Sequence, residues 1–189
     1  PAWLSLLVTV FWIVLVINAI NLIDGMDGLA GSVVALAGIS LFIMSSIEEN
    51  IVTSLLLIAL VGSTLGFLVY NLNPASIFLG DTGSMFLGFV LAVASVDSSQ
   101  KSYTLFSMLA AMMVLGLPIF DLSMAVVRRF LSGKNIFRAD QHHIHHILLR
   151  RGFSQKQSMR MLIFAAIGLE CLAFASIYAD DRLAAISIL

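Results

Sequence analysis

Six continuous apolar runs, at residues 2–20, 29–46, 51–70, 77–96, 103–127 and 161–178, constrain this chain more than any other feature. A helix needs about 20 apolar residues to cross the hydrocarbon core of a bilayer. The runs do not alternate with period two, and helices satisfy their own backbone groups in lipid. With 60% hydrophobic and 11% charged residues, the sequence lies far from the roughly 25% charged residues of a soluble domain. The expected fold is all-α: a polytopic integral membrane helical bundle of about six transmembrane helices, forming a single unit over residues 1–189. The fourth run is the weakest. Its strictly apolar part, Ser84 to Val96, spans only 13 residues, so Ile77 to Gly83 must also lie at membrane depth, which sinks Asp81 below the surface. Both ends of the chain are apolar, and the sequence reads as a piece of a longer protein, with Pro1 to Ile20 a span and not a signal peptide.

Orientation follows from the basic residues. Of ten Lys and Arg, eight fall between the fifth and sixth runs: Arg128, Arg129, Lys134, Arg138, Arg150, Arg151, Lys156 and Arg160. That loop is expected in the cytoplasm. Alternating outward from it places the segments at about 21–28, 71–83 and 128–160 together on the cytoplasmic face, and Glu48 to Asn50 and Asp97 to Ser102 outside. Every polar cluster with chemical potential therefore falls on one side. Small-residue faces at Gly62, Ser63 and Gly66, and at Gly88 and Ala92, predict close helix packing. Trp3, Tyr103 and Tyr178 read as interfacial anchors, and Cys171 as an inert buried thiol.

Three clusters carry chemistry. NAINLIDGMDGLAG, Asn18 to Gly31, spaces Asn18, Asn21, Asp24 and Asp27 three apart at a helix end. Ionisable side chains at the edge of a span mark function by default, and oxygen ligands of this kind suit Mg²⁺; a capped helix end is the plainer alternative. NPASIFLGDTGS, Asn73 to Ser84, flanks Asp81 and Thr82 with glycines, so that backbone N–H groups can meet phosphate oxygens while Asp81 holds a metal; Asp81 as a helix N-cap is the plainer alternative. QHHIHHILLRR supplies His142, His143, His145 and His146. One turn separates His142 from His146, as a zinc pair would require, but the Glu of a metalloprotease signature is His143 here. An anion cradle shared with Arg129, Arg138 and Arg150 fits better, with a short helix expected from Asp140 to Arg151. Asp121 faces either an arginine or the cytoplasmic cavity, and Glu170 reads as a protonated interhelical hydrogen-bonder. Acids and a basic, His-rich loop at one membrane face match phosphoryl transfer, in which positioning and charge neutralisation do most of the catalysis.

NAINLIDGMDGLAG, FLGDTGS and the stretch from Arg129 to His146 ending in HIHH resemble the polyprenyl-phosphate N-acetylhexosamine-1-phosphate transferases (glycosyltransferase family 4). Among these the sequence is most similar to the bacterial undecaprenyl-phosphate GlcNAc-1-phosphate branch. The resemblance implies attack of a lipid phosphate on the sugar-bound phosphorus of a UDP-HexNAc. UMP is released, a polyprenyl diphosphate sugar is left, and Mg²⁺ is the cofactor. By motif, Asp81 becomes a Mg²⁺ ligand with Asn21 nearby; Asp24, Asp27 and Asp81 are the catalytic acids; Arg129, His143, His145 and His146 bind the donor phosphates with Asn21. The resemblance also implies a bacterial inner-membrane location with the site facing the cytoplasm and a first step in cell-envelope glycan synthesis. Nucleic acid is not an expected partner, and a homodimer is compatible with the sequence. The family's acidic DDxxD motif has no match in this chain and is expected upstream of it. A divalent-cation transporter and a non-catalytic membrane scaffold are the competing readings.

Overall fold

The computed structural model describes residues 2–98, 105–133, 135 and 143–187, with side chains for all of these but 105–108 and 177–187. Eight helices are found among them and no strand: α1 (Ala2–Ile23), α2 (Leu29–Ile47), α3 (Ile51–Asn71), α4 (Gly80–Ser98), α5 (Leu105–Val114), α6 (Gly116–Leu131), α7 (Ile144–Arg150) and α8 (Gln155–Ser187). Helices α1, α2 and α3 and the segment Gln155–Ser176 of α8 are long and apolar enough to cross a membrane. The chain is a helical, multi-pass membrane protein.

Two expected spans take a different form. The fourth starts at Gly80, later than the apolar run, so Asp81 stands exposed in its first turn. The fifth is two helices, α5 and α6, meeting at Leu115. Pro118 has no N–H to offer the carbonyl of Val114, and its ring crowds that carbonyl, which breaks a continuous helix. Of the helix expected over Asp140 to Arg151, Ile144–Arg150 is observed. Asp140 to His142, Lys134, Arg138, Tyr103 and the Tyr178 side chain lie outside the described residues.

Packing follows side-chain size more than hydropathy, because lipid tails are as apolar as leucine and helix association rests on close fit. Gly88 of α4 lies so near α1 that a Cβ there would stand 2.9 Å from the Ile17 Cα. Trp12 Nε1 donates to Ser95 Oγ across the same pair of helices at 2.9 Å. Helices α2 and α3 form a hairpin through Glu48 to Asn50, with Val61 over Gly38 and Leu68 over Gly31. The expected packing face at Gly62 and Gly66 is not used within this fold. Both are exposed, and nothing lies within 4 Å of a Cβ built on either. Their periodicity is real, but the helix is rotated so that Leu57, Leu60, Val61, Thr64 and Leu68 face inward.

Glu170 of α8 is buried, and Ser40 Oγ of α2 donates to its Oε2 at 2.9 Å, the interhelical bond anticipated from its mid-span position; Cys171, the next residue, points to another side of the helix and is exposed, not buried as expected. At the end of the bundle carrying the α2–α3 turn, Asp97 accepts from Asn50 Nδ2 at 2.7 Å and from Thr53 Oγ1. At the opposite end a second apolar cluster gathers Ile23, Met26, Leu29, Ala30, Val33, Leu117, Leu162 and Ala166, with Ile144, Leu148 and Met159 packed on it. This cluster is the floor on which the polar motifs sit.

Candidate functional site

The turn between α1 and α2, Asp24 to Gly28, is pinned from below. Met26 between the two acids is buried in the apolar floor, an anchor worth roughly 1.5–3 kcal/mol where its alternative is water. Gly28 closes the turn at φ 76°, a left-handed conformation that a Cβ would strain. A Cβ there would also stand 2.9 Å from Leu72 Cδ2, and the Gly28 N–H donates to Asn71 Oδ1 at 3.1 Å. The two acids of the turn therefore point away from the floor in a set geometry.

Asp27 faces the α3–α4 loop. Its Oδ2 accepts from Asn73 Nδ2 at 3.0 Å and from the Ala75 N–H at 3.1 Å, and Asn73 also reaches Gln155 Oε1 at the start of α8, at 2.7 Å. Asp27 thus ties the α1–α2 turn to the α3–α4 loop with one oxygen, and Asn73 carries the link on to α8. This contact went unread in the sequence, since Asn73 precedes Pro74 in what looks like an ordinary turn.

Asp24 faces α4. On α1, Asn21 Nδ2 donates to Asp81 Oδ1 at 3.1 Å and to Ser84 Oγ at 2.9 Å, so the first and second motifs meet across the α1–α4 contact. Asn18, at the same three-residue spacing, is not part of this group: it is exposed and donates to its own helix at Val14 O, 2.7 Å. Burial first, and then the negative charge of Asp81, raise the Asp24 pKa from 3.8 to about 6. Two carboxylates and an amide whose carbonyl is a hard oxygen donor make a set that suits Mg²⁺, which binds through one or two carboxylates and keeps waters and phosphate oxygens as its other ligands. A cation there would also relieve the repulsion that Asp24 feels. Among the described residues no group of three or more His, Cys, Asp or Glu is placed to hold a metal.

The raised pKa has a sign that can be checked. The folded state holds the Asp24 proton more tightly than the unfolded chain does, so stability falls as pH rises from about 4 to about 6 and stays lowered above that. Asp24→Asn is expected to stabilise the metal-free protein in detergent above pH 6, by no more than ~1 kcal/mol once solvent screening of a half-buried group is allowed for, and so to raise its melting temperature. The gain should vanish near pH 4; an equal gain at both ends would remove the electrostatic explanation.

The third motif arrives from α6 and α7. Asp121, buried in α6, places Oδ2 3.0 Å from His143 Nδ1 and accepts the Ile144 N–H on Oδ1 at 2.9 Å. Its partner is a histidine, neither the arginine nor the open cavity anticipated. His145 is 2% exposed, and neither ring nitrogen has a hydrogen-bond partner among the described residues. Its imidazole lies against Gly25, where a Cβ would collide with Nε2. Burial first, and then His146, lower its pKa to about 4, so His145 is neutral at pH 7 and adds no positive charge to an anion cradle. His146 is half-buried, its ring tilted on that of His145 at 4.2 Å. Arg128 and Arg129 occupy the last turn of α6, where the helix dipole favours cations. The structure joins Asn21 to Asp81 directly, keeps Asp24 and Asp27 on the turn that follows Asn21, rests His145, with His143 parallel to it, on Gly25 of that turn, and leaves Asn18 aside.

The family model for glycosyl transferase family 4 matches residues 1–99, more than half of the chain and the part that holds the first two motifs. The chain belongs to this family. It is 45% identical over 162 residues to a protein of Bacillus subtilis named as a probable undecaprenyl-phosphate N-acetylglucosaminyl 1-phosphate transferase, covering 85% of this chain and 45% of that one. It is 38% identical over 130 residues to the decaprenyl-phosphate N-acetylglucosaminephosphotransferase of Mycobacterium leprae, covering 63% of this chain and 32% of that one. A phospho-N-acetylmuramoyl-pentapeptide-transferase of Desulforudis audaxviator is 34% identical over 167 residues, covering 88% and 48%. The chain thus spans about a third to a half of the length of these family 4 relatives.

Proposed function

We propose that this family 4 chain carries the acidic and histidine half of a site that transfers HexNAc-1-phosphate, with GlcNAc as the sugar, from a UDP-sugar to polyprenyl phosphate. The observation that carries this reading is the Asn21–Asp81 contact beside Asp24: it joins two distant motifs into one oxygen-rich group at one end of a membrane bundle. The names of the relatives supply the acceptor class. In the proposed reaction a lipid phosphate oxygen forms a bond to the sugar-bound phosphorus, the phosphorus–oxygen bond to UMP breaks, and UMP carries away the electron pair.

Asp81 and Asn21 would hold Mg²⁺, with Asp24 beside them. When bound, the ion neutralises charge on the phosphate oxygens. The remaining roles belong to this chain's own groups. Asp27 holds the α3–α4 loop against the α1–α2 turn and so sets the distance between Asp24 and Asp81. His146 and Arg129 donate to the donor phosphates, and His143 donates from Nε2 once its ring is protonated and its charge balanced by Asp121, while His145 seats the histidine segment on Gly25. The site would face the cytoplasm of a bacterial inner membrane, where a soluble nucleotide sugar meets a lipid acceptor.

The test is UMP release by the intact protein in membranes, from UDP-GlcNAc, with and without undecaprenyl phosphate and Mg²⁺. Release that requires both additions is the expected result. Release with only a different UDP-HexNAc would overturn the donor, and silence with every donor would remove the reaction.

A further inference from the structure

We propose that Asp121 is a positioning residue of this site: from α6 it selects the tautomer of His143 and fixes the start of α7, and so sets where the histidine segment stands against the Asp24–Gly28 turn. Both of its oxygens are committed. Oδ1 accepts the N–H of Ile144, the first residue of α7, and Oδ2 meets His143 Nδ1. Helix α7 has only seven residues, and its N-cap, His143, makes no side-chain cap of its own. A carboxylate from another helix supplies it, satisfying one of the amide donors left open at every helix start.

The same carboxylate decides the chemistry of the ring. An ionised carboxylate has acceptors only, so the His143 Nδ1 must carry the proton. That leaves Nε2 with the lone pair, the nitrogen able to accept a proton or, once protonated, to donate to an anion. The next link is His145, whose ring lies parallel to that of His143, 6.0 Å between centroids and 6° between planes. His145 in turn rests on Gly25, the residue that follows Asp24. A continuous path runs from Asp121 through two histidines to the acidic turn, and no member of it but Gly25 lies in the first two motifs.

The plain alternative is that Asp121 only anchors α7 to α6. Asp121→Asn separates the two ideas. The amide carbonyl still accepts from Ile144, which keeps the anchor, but an NH₂ now faces His143 Nδ1, forces the proton to Nε2 and removes the negative charge that balances a protonated ring. Asp121→Ala removes both bonds. The kinetic consequence of this inference rests on the proposed transfer reaction; the tautomer does not.

The experiment uses the intact protein in detergent with ¹⁵N-labelled histidine, the His143 signals assigned with His143→Gln. Wild type is expected to show an Nδ1–H ring and Asp121→Asn an Nε2–H ring, with melting temperatures within a few degrees. Donor kcat/KM in Asp121→Asn should fall about 10- to 100-fold, the usual effect of losing an outer partner of a site group, with the acceptor KM unchanged. The same tautomer in both proteins, or wild-type kinetics in Asp121→Asn, overturns the proposal. So does a loss of activity that only tracks a collapsed melting temperature. If the wild type releases UMP from no nucleotide sugar, the reaction fails on its own, and the ring signals still decide whether Asp121 sets His143.

Discussion

Asp81→Asn is expected to lower UMP release about a thousandfold or more, equivalent to about 4 kcal/mol of transition-state stabilisation. The substitution keeps the shape of the side chain and leaves a carbonyl for Asn21 Nδ2, so α1 and α4 should stay in register. What it removes is the negative charge in the first turn of α4, an exposed carboxylate on which cation binding would depend. A second readout separates charge from shape. Asp81 is the second cause, after burial, of the high Asp24 pKa, so in metal-free Asp81→Asn the Asp24 carboxyl should titrate lower than in wild type without returning to 3.8. Turnover within threefold of wild type would remove Asp81 from the site.

Gly88→Val is expected to be the most damaging substitution away from the polar groups. A Cβ at this position stands 2.9 Å from Ile17 Cα, 3.3 Å from Val16 O and 3.3 Å from Ile20 Cβ. Two of these three are backbone atoms that cannot rotate away, so α1 and α4 must part, at a cost of about 3 kcal/mol, the upper end for overpacking. The damage should reach the site directly. Asn21 lies one turn beyond Ile17 on α1, and Ser84 one turn before Gly88 on α4, and these two hydrogen-bond each other. Loss of UMP release should therefore accompany the lower melting temperature. Gly62→Val is the control: it adds the same atoms to a helix glycine with open space around it, and should melt and turn over like wild type. Equal melting temperatures for the two variants would refute the close α1–α4 contact.

The two glycines show where sequence reading ends. Gly62 with Gly66 and Gly88 with Ala92 have the same four-residue spacing, and the first pair faces out while Gly88 meets a backbone. Spacing places small residues on one stripe of a helix; the rotation of that helix about its axis decides what the stripe meets, and rotation depends on every other helix in the bundle. The acids and histidines follow the same division. That Asp24, Asp81 and His143 are the candidates for chemistry was legible, because carboxylates and imidazoles at the edge of apolar runs carry a desolvation cost that calls for a reason. That Asp27 holds Asn73, that Asp121 holds His143, and that His145 is neutral and buried on Gly25 were not legible, since each depends on a partner 22 to 120 residues away.

Hydropathy by itself decided that the chain is helical and crosses a membrane, because in lipid each helix must satisfy its own backbone within a local stretch of about 20 residues. Ordered motifs decided the family. The break at Pro118 was written in the sequence and masked by the apolar run around it. Only the tertiary structure decided which polar groups meet, because a hydrogen bond needs its two atoms within about 3 Å, and that distance is set by helix rotation and loop closure together.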